Sequence, residues 1–163
     1  MMKTIQKDRK YILLNNKKDL DTKDLNTFKE LIKKRSIGKP IAYLTNKKFF
    51  WKSEFILSDD ILIPRPDTEL IIEKVLDLTV YKKKINILEI GVGSGCILLS
   101  ILKERKSFYG TGIDISKSCL NISKLNAIKL KVSSKLKLYQ SNVDKFNIGC
   151  LLYTSDAADE VAG

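Results

Sequence analysis

Histidine is absent from this sequence of 163 residues, and cysteine is rare. Without histidine, the chain offers no imidazole ligand for a metal ion and no imidazole proton relay. Its three cysteines, Cys96, Cys119 and Cys150, are isolated and form no Cys-x-x-Cys pair, the spacing of common zinc and redox motifs. We therefore expect no metal site, and a reducing compartment, the cytoplasm.

Long apolar runs are also absent. No uninterrupted apolar stretch approaches the ~20 residues that a helix needs to cross a bilayer. The basic start, residues 1–10, is not followed by the apolar block of a signal peptide. The hydrophobic content of 44% is nevertheless sufficient for a core. These features indicate a globular chain with no membrane partner, either one domain or one domain with a small appendage.

Arginine is scarce although the chain is strongly basic. Only four of its 30 basic residues are arginines, and the net charge is +11. A basic surface favours nucleic acid or the ribosome as a partner, because Lys and Arg neutralise phosphates. The lysines, however, are spread through every segment, which is more typical of a solvated surface in a protein of A+T-biased composition. Charge alone therefore leaves ribosome proximity as an open alternative.

The first part of the chain has a helical pattern followed by β-prone runs. Apolar residues at helical spacing predict a helix over residues 24–35, with Asp21 or Thr22 as its cap. Short runs at 49–51 and 55–57 are rich in aromatic and aliphatic residues and predict a hairpin. The hairpin would link the helical part to the second part of the chain.

The second part alternates between strand and helix patterns. A stiff turn at residues 64–69 leads into a helix with an apolar side. The elements predicted after it are strands at 85–90, 108–113 and 135–141 and helices at about 95–104 and 116–129. Strands that alternate with helices form parallel sheets with right-handed crossovers, so the predicted fold class is α/β.

The first of these strands runs into a loop with three alternating glycines, Gly91, Gly93 and Gly95. Glycine lets the backbone adopt positive φ and lets a ligand approach the main chain closely. The helix after the loop presents N–H groups and a positive dipole end, which favour a carboxylate or phosphate. Asp114 ends the next strand, where its carboxylate can accept both hydroxyls of a ribose. The pattern predicts a site for a nucleoside cofactor.

The spacing of the glycines helps to distinguish between classes of nucleoside cofactor. A dinucleotide fingerprint, Gly-x-Gly-x-x-Gly, needs glycine at the position of Cys96, so a nicotinamide site is less favoured. A tight turn without any ligand is a further alternative. The form Glu89-x-Gly91-x-Gly93-x-Gly95 resembles the first motif of class I S-adenosylmethionine-dependent methyltransferases. In that family the early acid helps to hold the loop and the ammonium group of the ligand.

Flanking segments are similar to those of a narrower family. Gly38-Lys-Pro-Ile-Ala-Tyr-Leu-Thr45, followed by Phe50-Trp51, resembles the linker of release factor glutamine methyltransferases of the HemK or PrmC type. Ile61-Leu-Ile-Pro-Arg-Pro-Asp-Thr-Glu69 resembles the signature that precedes their catalytic domain, and residues 114–127 are similar to their cofactor-acid segment. The resemblance covers residues 8–148.

This resemblance implies methyl transfer from S-adenosylmethionine to the glutamine amide in the Gly-Gly-Gln loop of peptide chain release factors, a step linked to translation termination. It also implies a set of cofactor contacts. The glycine loop would hold the methionine part, Asp114 the ribose, and the residues after the third strand the adenine. The implied cofactor-binding residues are Glu89, Gly91, Val92, Gly93, Ser94, Gly95, Asp114, Asn142, Val143, Thr68 and Glu69.

Two departures from the family bear on activity. The family's Asn-Pro-Pro-Tyr motif, whose asparagine orients the poorly nucleophilic amide nitrogen, does not occur in this sequence. We therefore assign no catalytic residue and expect this chain by itself to be inactive. Residue 1 also falls inside the family's N-terminal helical module, so we expect an incomplete docking surface for the release factor.

The sequence divides into four segments, three implied by this resemblance and the last indicated by its own lysine-free composition. They are a partial helical substrate-recognition module at 1–46, a hairpin linker at 47–65, an incomplete S-adenosylmethionine-binding domain at 66–149, and a non-native tail at 150–163 that resembles translated sequencing adapter. The sheet would contain only the first three of about seven class I strands. Its first strand would then be an exposed apolar edge, which is prone to aggregation.

Two other functions remain alternatives. A ribosomal RNA or DNA amino-group methyltransferase would suit the charge of +11. A non-catalytic nucleoside-binding domain would bind the cofactor without turnover. The Pro64-Arg-Pro-Asp-Thr-Glu69 element, together with the helix and hairpin before it, favours the release-factor function.

Overall fold

A computed structural model describes residues 2–142 and residue 144 of the chain. The described residues divide into two compact units, the first ending at residue 47 and the second beginning at residue 48. The described part of the first unit is helical, and that of the second contains both β-sheets. No helix within the described residues has the length and apolar character that spanning a membrane requires.

Helices make up the first unit. They are Met2–Ile5 (α1), Arg9–Leu14 (α2), Thr22–Ser36 (α3) and Ile41–Thr45 (α4). Asp8 caps α2 by accepting the backbone N–H of Tyr11 at 2.8 Å, and Asp21 caps α3 by accepting that of Asp24 at 2.7 Å. Of the two predicted caps for α3, Asp21 is the one that the structure uses.

A hairpin opens the second unit. Its strands are Lys47–Phe50 (β1) and Ser53–Ile56 (β2), joined by Trp51 and Lys52. The prediction that Trp51 ends the first strand is wrong, because its backbone adopts a φ of +52° and forms the turn. Both strands therefore begin two residues earlier than predicted. The rings of Phe50 and Phe55 are fully buried and meet edge to face, with their centroids 6.2 Å apart.

The Pro-Arg-Pro-Asp-Thr-Glu element forms the start of a helix. Pro66–Thr68 makes one turn of 3-10 helix, and Glu69–Leu78 continues as α5. Pro66 occupies the first position, where its fixed φ is suitable and its missing N–H is not needed. Asp67 and Glu69 place negative charge at the positive end of the helix dipole.

A parallel sheet with crossover helices completes the described chain. Its elements are Asn86–Ile90 (β3), Cys96–Glu104 (α6), Tyr109–Asp114 (β4), Lys117–Lys129 (α7) and Leu136–Gln140 (β5). The strand order is β3-β4-β5 and all pairs are parallel. The predicted α/β class is confirmed, and each of these elements lies within one residue of its predicted bounds.

The two strands that flank β4 differ from it in burial. Residues 110–113 of β4 are buried, whereas every residue of β3 is at least partly exposed. Among the described residues, β3 pairs with β4 alone, so the first strand is an edge, as predicted. The core lies between the sheet, its helices and the hairpin, and consists of Phe50, Phe55, Ile72, Val92, Leu98, Leu99, Ile101, Leu102, Phe108, Ala127 and Val132.

Candidate functional site

The loop between β3 and α6 needs glycine at three positions. Gly91, Gly93 and Gly95 have φ values of +73°, +54° and +78°, a region that other residues seldom adopt. The backbone N–H groups of Gly91 and Val92 both donate to the carbonyl oxygen of Ile113 in β4, at 2.8 and 2.9 Å. The alternating glycines therefore let the chain turn sharply while it stays attached to the neighbouring strand.

The three glycines serve two different purposes. A Cβ placed on Gly91 would meet nothing within 4 Å, and one on Gly93 would meet only the Gly91 carbonyl at 3.9 Å. A Cβ on Gly95 would lie 2.5 Å from Ser123 Oγ and 2.8 Å from Leu99 Cδ1. The first two glycines therefore face open space that a ligand could enter, and the third lets the loop pack closely on α6 and α7.

The acid at the end of β4 lies directly against this loop. Asp114 Oδ2 accepts the backbone N–H of Gly93 at 2.9 Å, and Oδ1 accepts that of Ser116 at 2.9 Å. The structure thus brings together the glycine loop and the carboxylate that were predicted to share a site. Each carboxylate oxygen retains a second lone pair, so Asp114 can accept further hydrogen bonds from a diol.

A second acid faces the start of α6. Glu89 Oε2 accepts the backbone N–H of Leu98 at 3.1 Å. Burial raises the pKa of Glu89 to about 8; the hydrogen bond from Leu98 opposes this rise, and the negative charge of Asp114 adds to it. Glu89 is therefore largely protonated at neutral pH, and the site carries one carboxylate and one neutral carboxylic acid.

Two other predicted loop residues, Val92 and Ser94, are almost fully buried. Val92 and Ser94 are both 3% exposed, and Val92 belongs to the hydrophobic core. The Ser94 carbonyl oxygen accepts a hydrogen bond of 2.9 Å from the side chain of Asn126. Core packing of Val92 and the hydrogen bond to the Ser94 carbonyl therefore fix this part of the loop.

The predicted residues on α5 contact the hairpin. Glu69 Oε1 accepts the backbone N–H of Trp51 at 2.8 Å, and Thr68 lies half-buried just before it. The Trp51 indole N–H donates to Glu104 Oε1 at 2.9 Å. Glu69 therefore stabilises the turn of the hairpin, a contact between residues far apart in sequence that the motif did not indicate.

The predicted adenine contacts come directly after β5. Asn142 is exposed, and the backbone N–H of the preceding Ser141 donates to the carbonyl oxygen of Asp114 at 3.1 Å. This bond keeps the end of β5 next to the end of β4. Val143 lies outside the described residues, as do residues 145–163, which include Cys150 and the whole predicted tail 150–163.

The two described cysteines are poor nucleophiles. Burial raises the pKa of Cys96 to about 11, and it also raises that of Cys119. Neither thiol is ionised at neutral pH. Within the described part of the chain, no group of three or more metal-ligating side chains is found.

The chain is similar to known proteins over most of its length. Residues 1–45 match a family model described as the PrmC N-terminal domain. The release factor glutamine methyltransferase of Buchnera aphidicola subsp. Schizaphis graminum is 39% identical over 131 residues, which are 80% of this chain and 47% of that protein. The protein of the same name from Leptospira interrogans is 39% identical over 122 residues, 73% of this chain and 42% of that protein.

A solved structure also matches part of the chain. It is an RNA methyltransferase from Salinibacter ruber in complex with S-adenosyl-L-homocysteine, with a TM-score of 0.43 and 20% identity over 53% of this chain and 54% of that one. The chain spans about half the length of the curated relatives named above. Over four-fifths of its own length, this chain is similar to the release factor glutamine methyltransferase of Buchnera aphidicola.

Proposed function

We propose that this chain carries the S-adenosylmethionine-binding part of an enzyme that methylates, at N5, the glutamine in the Gly-Gly-Gln motif of peptide chain release factors. The substrate is inferred from the named relatives. The observation that carries the cofactor assignment is the contact between Asp114 and Gly93 at 2.9 Å, beside the open space over Gly91.

The residues present fit such a cofactor. Gly91, Gly93 and the main chain of Val92, Ser94 and Gly95 would hold its methionine part, and Asp114 would accept the two ribose hydroxyls. The Glu89 carboxyl would face its ammonium group, while Asn142 and Val143 would contact the adenine. Thr68 and Glu69 complete the proposed set, although the Glu69 carboxylate is engaged by Trp51.

When bound, S-adenosylmethionine supplies a methyl group on a positively charged sulfur. The residues of this chain would hold and orient that group. A glutamine amide nitrogen reacts only when it is oriented in line with the methyl, because its lone pair is delocalised into the carbonyl. Since the sequence contains no Asn-Pro-Pro-Tyr motif, we expect this chain to bind the methyl donor without transferring its methyl group.

The remaining assignments depend on this function. Residues 1–46 would be part of the module that recognises the release factor, 47–65 the linker and 66–149 part of the cofactor domain. The tail 150–163 would be non-native. Release factors act where translation terminates, and from this we infer that the protein acts in the cytoplasm and near the ribosome.

Calorimetric titration with S-adenosylhomocysteine tests the cofactor assignment. We expect binding by the chain, and a loss of about tenfold or more in affinity for Asp114→Asn, since a neutral amide accepts hydroxyl hydrogens less strongly. Asp77→Asn, an exposed substitution on α5, should bind as the unchanged chain does. Equal affinities for the two variants would contradict the assignment.

The substrate is tested separately with labelled methyl donor. A Gly-Gly-Gln peptide and a ribosomal RNA fragment are offered to the chain in parallel. We expect no transfer to either. In a pull-down we expect specific binding of the chain to a release factor, weakened by the incomplete docking surface. Methylation of the RNA would replace the release-factor proposal, and methylation of the peptide would show that Asn-Pro-Pro-Tyr is dispensable.

A further inference from the structure

One buried polar side chain connects two parts of the second unit. Asn126 on α7 is 0% exposed, and its amide group makes three hydrogen bonds. Its Oδ1 accepts the backbone N–H of Ile56 at 2.7 Å, and its Nδ2 donates to the Ile56 carbonyl at 3.1 Å. The same Nδ2 donates to the carbonyl of Ser94 in the glycine loop at 2.9 Å.

We propose that Asn126 is a positioning residue that couples the hairpin β1–β2 to the glycine loop, so that a ligand that orders the loop also orders the hairpin. This proposal rests on the proposed function, which identifies the ligand as S-adenosylmethionine or its product. Asn126 itself has no contact with the ligand in this proposal. It acts through the Ser94 carbonyl on one side and the Ile56 backbone on the other.

The environment of Asn126 makes its three bonds hard to replace. Buried polar groups are unfavourable without partners, and all the hydrogen-bonding atoms of this amide are used. The buried side of α7 consists of small or polar residues, Cys119, Ser123, Asn126 and Ala127, where large apolar residues would be usual. These small side chains let α7 approach the loop so closely that a Cβ on Gly95 would lie 2.5 Å from Ser123 Oγ.

A second contact, a salt bridge at the surface, also joins α7 to the hairpin. Lys129 Nζ forms a salt bridge of 2.8 Å with Glu54 Oε1, so β2 and α7 are also joined at the surface. An exposed pair of this kind contributes little to stability. This salt bridge joins side chains of α7 and β2 and, unlike the hydrogen bonds of Asn126, does not include an atom of the glycine loop. The coupling of the hairpin to the loop therefore depends on the amide of Asn126.

Hydrogen exchange with and without S-adenosylhomocysteine tests the proposal on the full chain. We expect the ligand to slow exchange in two segments, residues 91–95 and residues 53–57, although no residue of the second is a proposed cofactor contact. In Asn126→Ala the ligand should bind about tenfold more weakly and leave the exchange of 53–57 unchanged. The matched control, Asn121→Ala on the exposed side of the same helix, should retain both responses.

Hydrogen exchange of the unchanged chain tests the coupling even if Asn126→Ala does not fold. Ligand protection confined to 91–95 in the unchanged chain would overturn the coupling, and so would a full hairpin response in a folded Asn126→Ala. If the chain binds no S-adenosylhomocysteine, the proposed function fails, and exchange at rising urea still tests Asn126. The amides of Ile56 and Gly95 should then become exchangeable in one step, and separate steps would overturn the proposal.

Discussion

At the scale of single residues, the glycine loop shows how one residue type can meet two demands. Gly91 and Gly93 are needed for their backbone angles and for the space above them. Gly95 is needed for its backbone angle and because α6 and α7 occupy the volume that a side chain would take. Substitution at these positions should therefore have unequal effects on stability.

Gly95→Ala is expected to destabilise the chain more than Gly91→Ala. Both variants place alanine in the left-handed region, which is unfavourable by about 1–2 kcal/mol. Only Gly95→Ala adds overlap with Ser123 and Leu99, which are fully buried and cannot move freely, and this adds about 1–3 kcal/mol. Urea unfolding measures both free energies, and equal losses would contradict the packing role of Gly95.

The protonated Glu89 predicts a pH dependence of stability. Its pKa rises from 4.5 to about 8 in the folded chain, so between these values the folded state keeps a proton that the unfolded state loses. This contribution to stability is fully present below about pH 4.5, falls as the pH rises, and is lost above about pH 8. Glu89→Gln should remove this fall, which amounts to at most about 1.4 kcal/mol per pH unit.

Thermal unfolding between pH 4.5 and pH 8 measures this difference. The free energy of unfolding of Glu89→Gln relative to the unchanged chain should increase with pH across that window. Glu73→Gln, at an exposed position of α5, should track the unchanged chain. Parallel curves for Glu89→Gln and the unchanged chain would contradict a raised pKa at Glu89.

Residues differ in how far the sequence could reveal their roles. The contact of Asp114 with the glycine loop could be predicted, because parallel strands end at one edge and glycine spacing fixes the loop. The roles of Glu69 and Asn126 could not be predicted, because both bind the backbone of the hairpin, and neither periodicity nor glycine spacing fixes how the hairpin packs on α5 and α7. Only an unexpected polar residue on the buried side of α7 could have indicated Asn126.

At the scale of elements, the hairpin depends on contacts from the helices beside it. Trp51 forms its turn with a backbone angle that is unfavourable for a residue other than glycine. The backbone N–H of Trp51 donates to Glu69 on α5, and its indole N–H donates to Glu104 on α6. Lys52 adds a salt bridge of 3.0 Å to the same Glu104 oxygen. These contacts compensate for the strain of the turn.

Glu69→Ala should loosen the hairpin. It leaves the backbone N–H of Trp51 without its charged acceptor, at an expected loss of about 1.5–3 kcal/mol. Trp51 is the single tryptophan of the chain, so its fluorescence reports the change without interference. Glu73→Ala, one turn further along α5 and exposed, should leave both stability and emission unchanged. Unchanged emission in Glu69→Ala would show that the turn does not need this carboxylate.

The elements themselves were predicted with unequal success. The parallel strands and their helices agree with the sequence to within one residue, because apolar runs and glycines mark their ends clearly. The hairpin strands were displaced, because aromatic residues favour strands and no glycine or asparagine marked the turn. A tryptophan with positive φ is set by its tertiary contacts, which periodicity does not record.

At the scale of the whole molecule, an apolar sheet edge and a high net charge have opposite effects on association between chains. The described chain leaves one side of β3 unpaired, and Ile90 at its end is 53% exposed. Unpaired edges favour association with other chains. The net charge of +11 opposes it, and salt screens that repulsion.

The chain should therefore associate more strongly as salt increases. Light scattering after size exclusion, at about 50 and about 500 mM salt, measures the molar mass as screening grows. Ile90→Lys places a charge at the edge and should reduce association at high salt. Ile128→Lys, equally exposed but on α7, should not. An equal effect of the two substitutions would indicate general hydrophobic association with no role for the β3 edge.

The proton on Glu89 has a consequence for ligand uptake. A ligand with an ammonium group near this carboxyl would stabilise its ionised form and expel the proton into the solvent. A carboxylate on the same ligand would be drawn toward the positive end of the α6 dipole. Uptake of such a ligand near neutral pH should therefore acidify a weakly buffered solution. Its calorimetric heat should also vary with the ionisation enthalpy of the buffer, and both effects should vanish in Glu89→Gln.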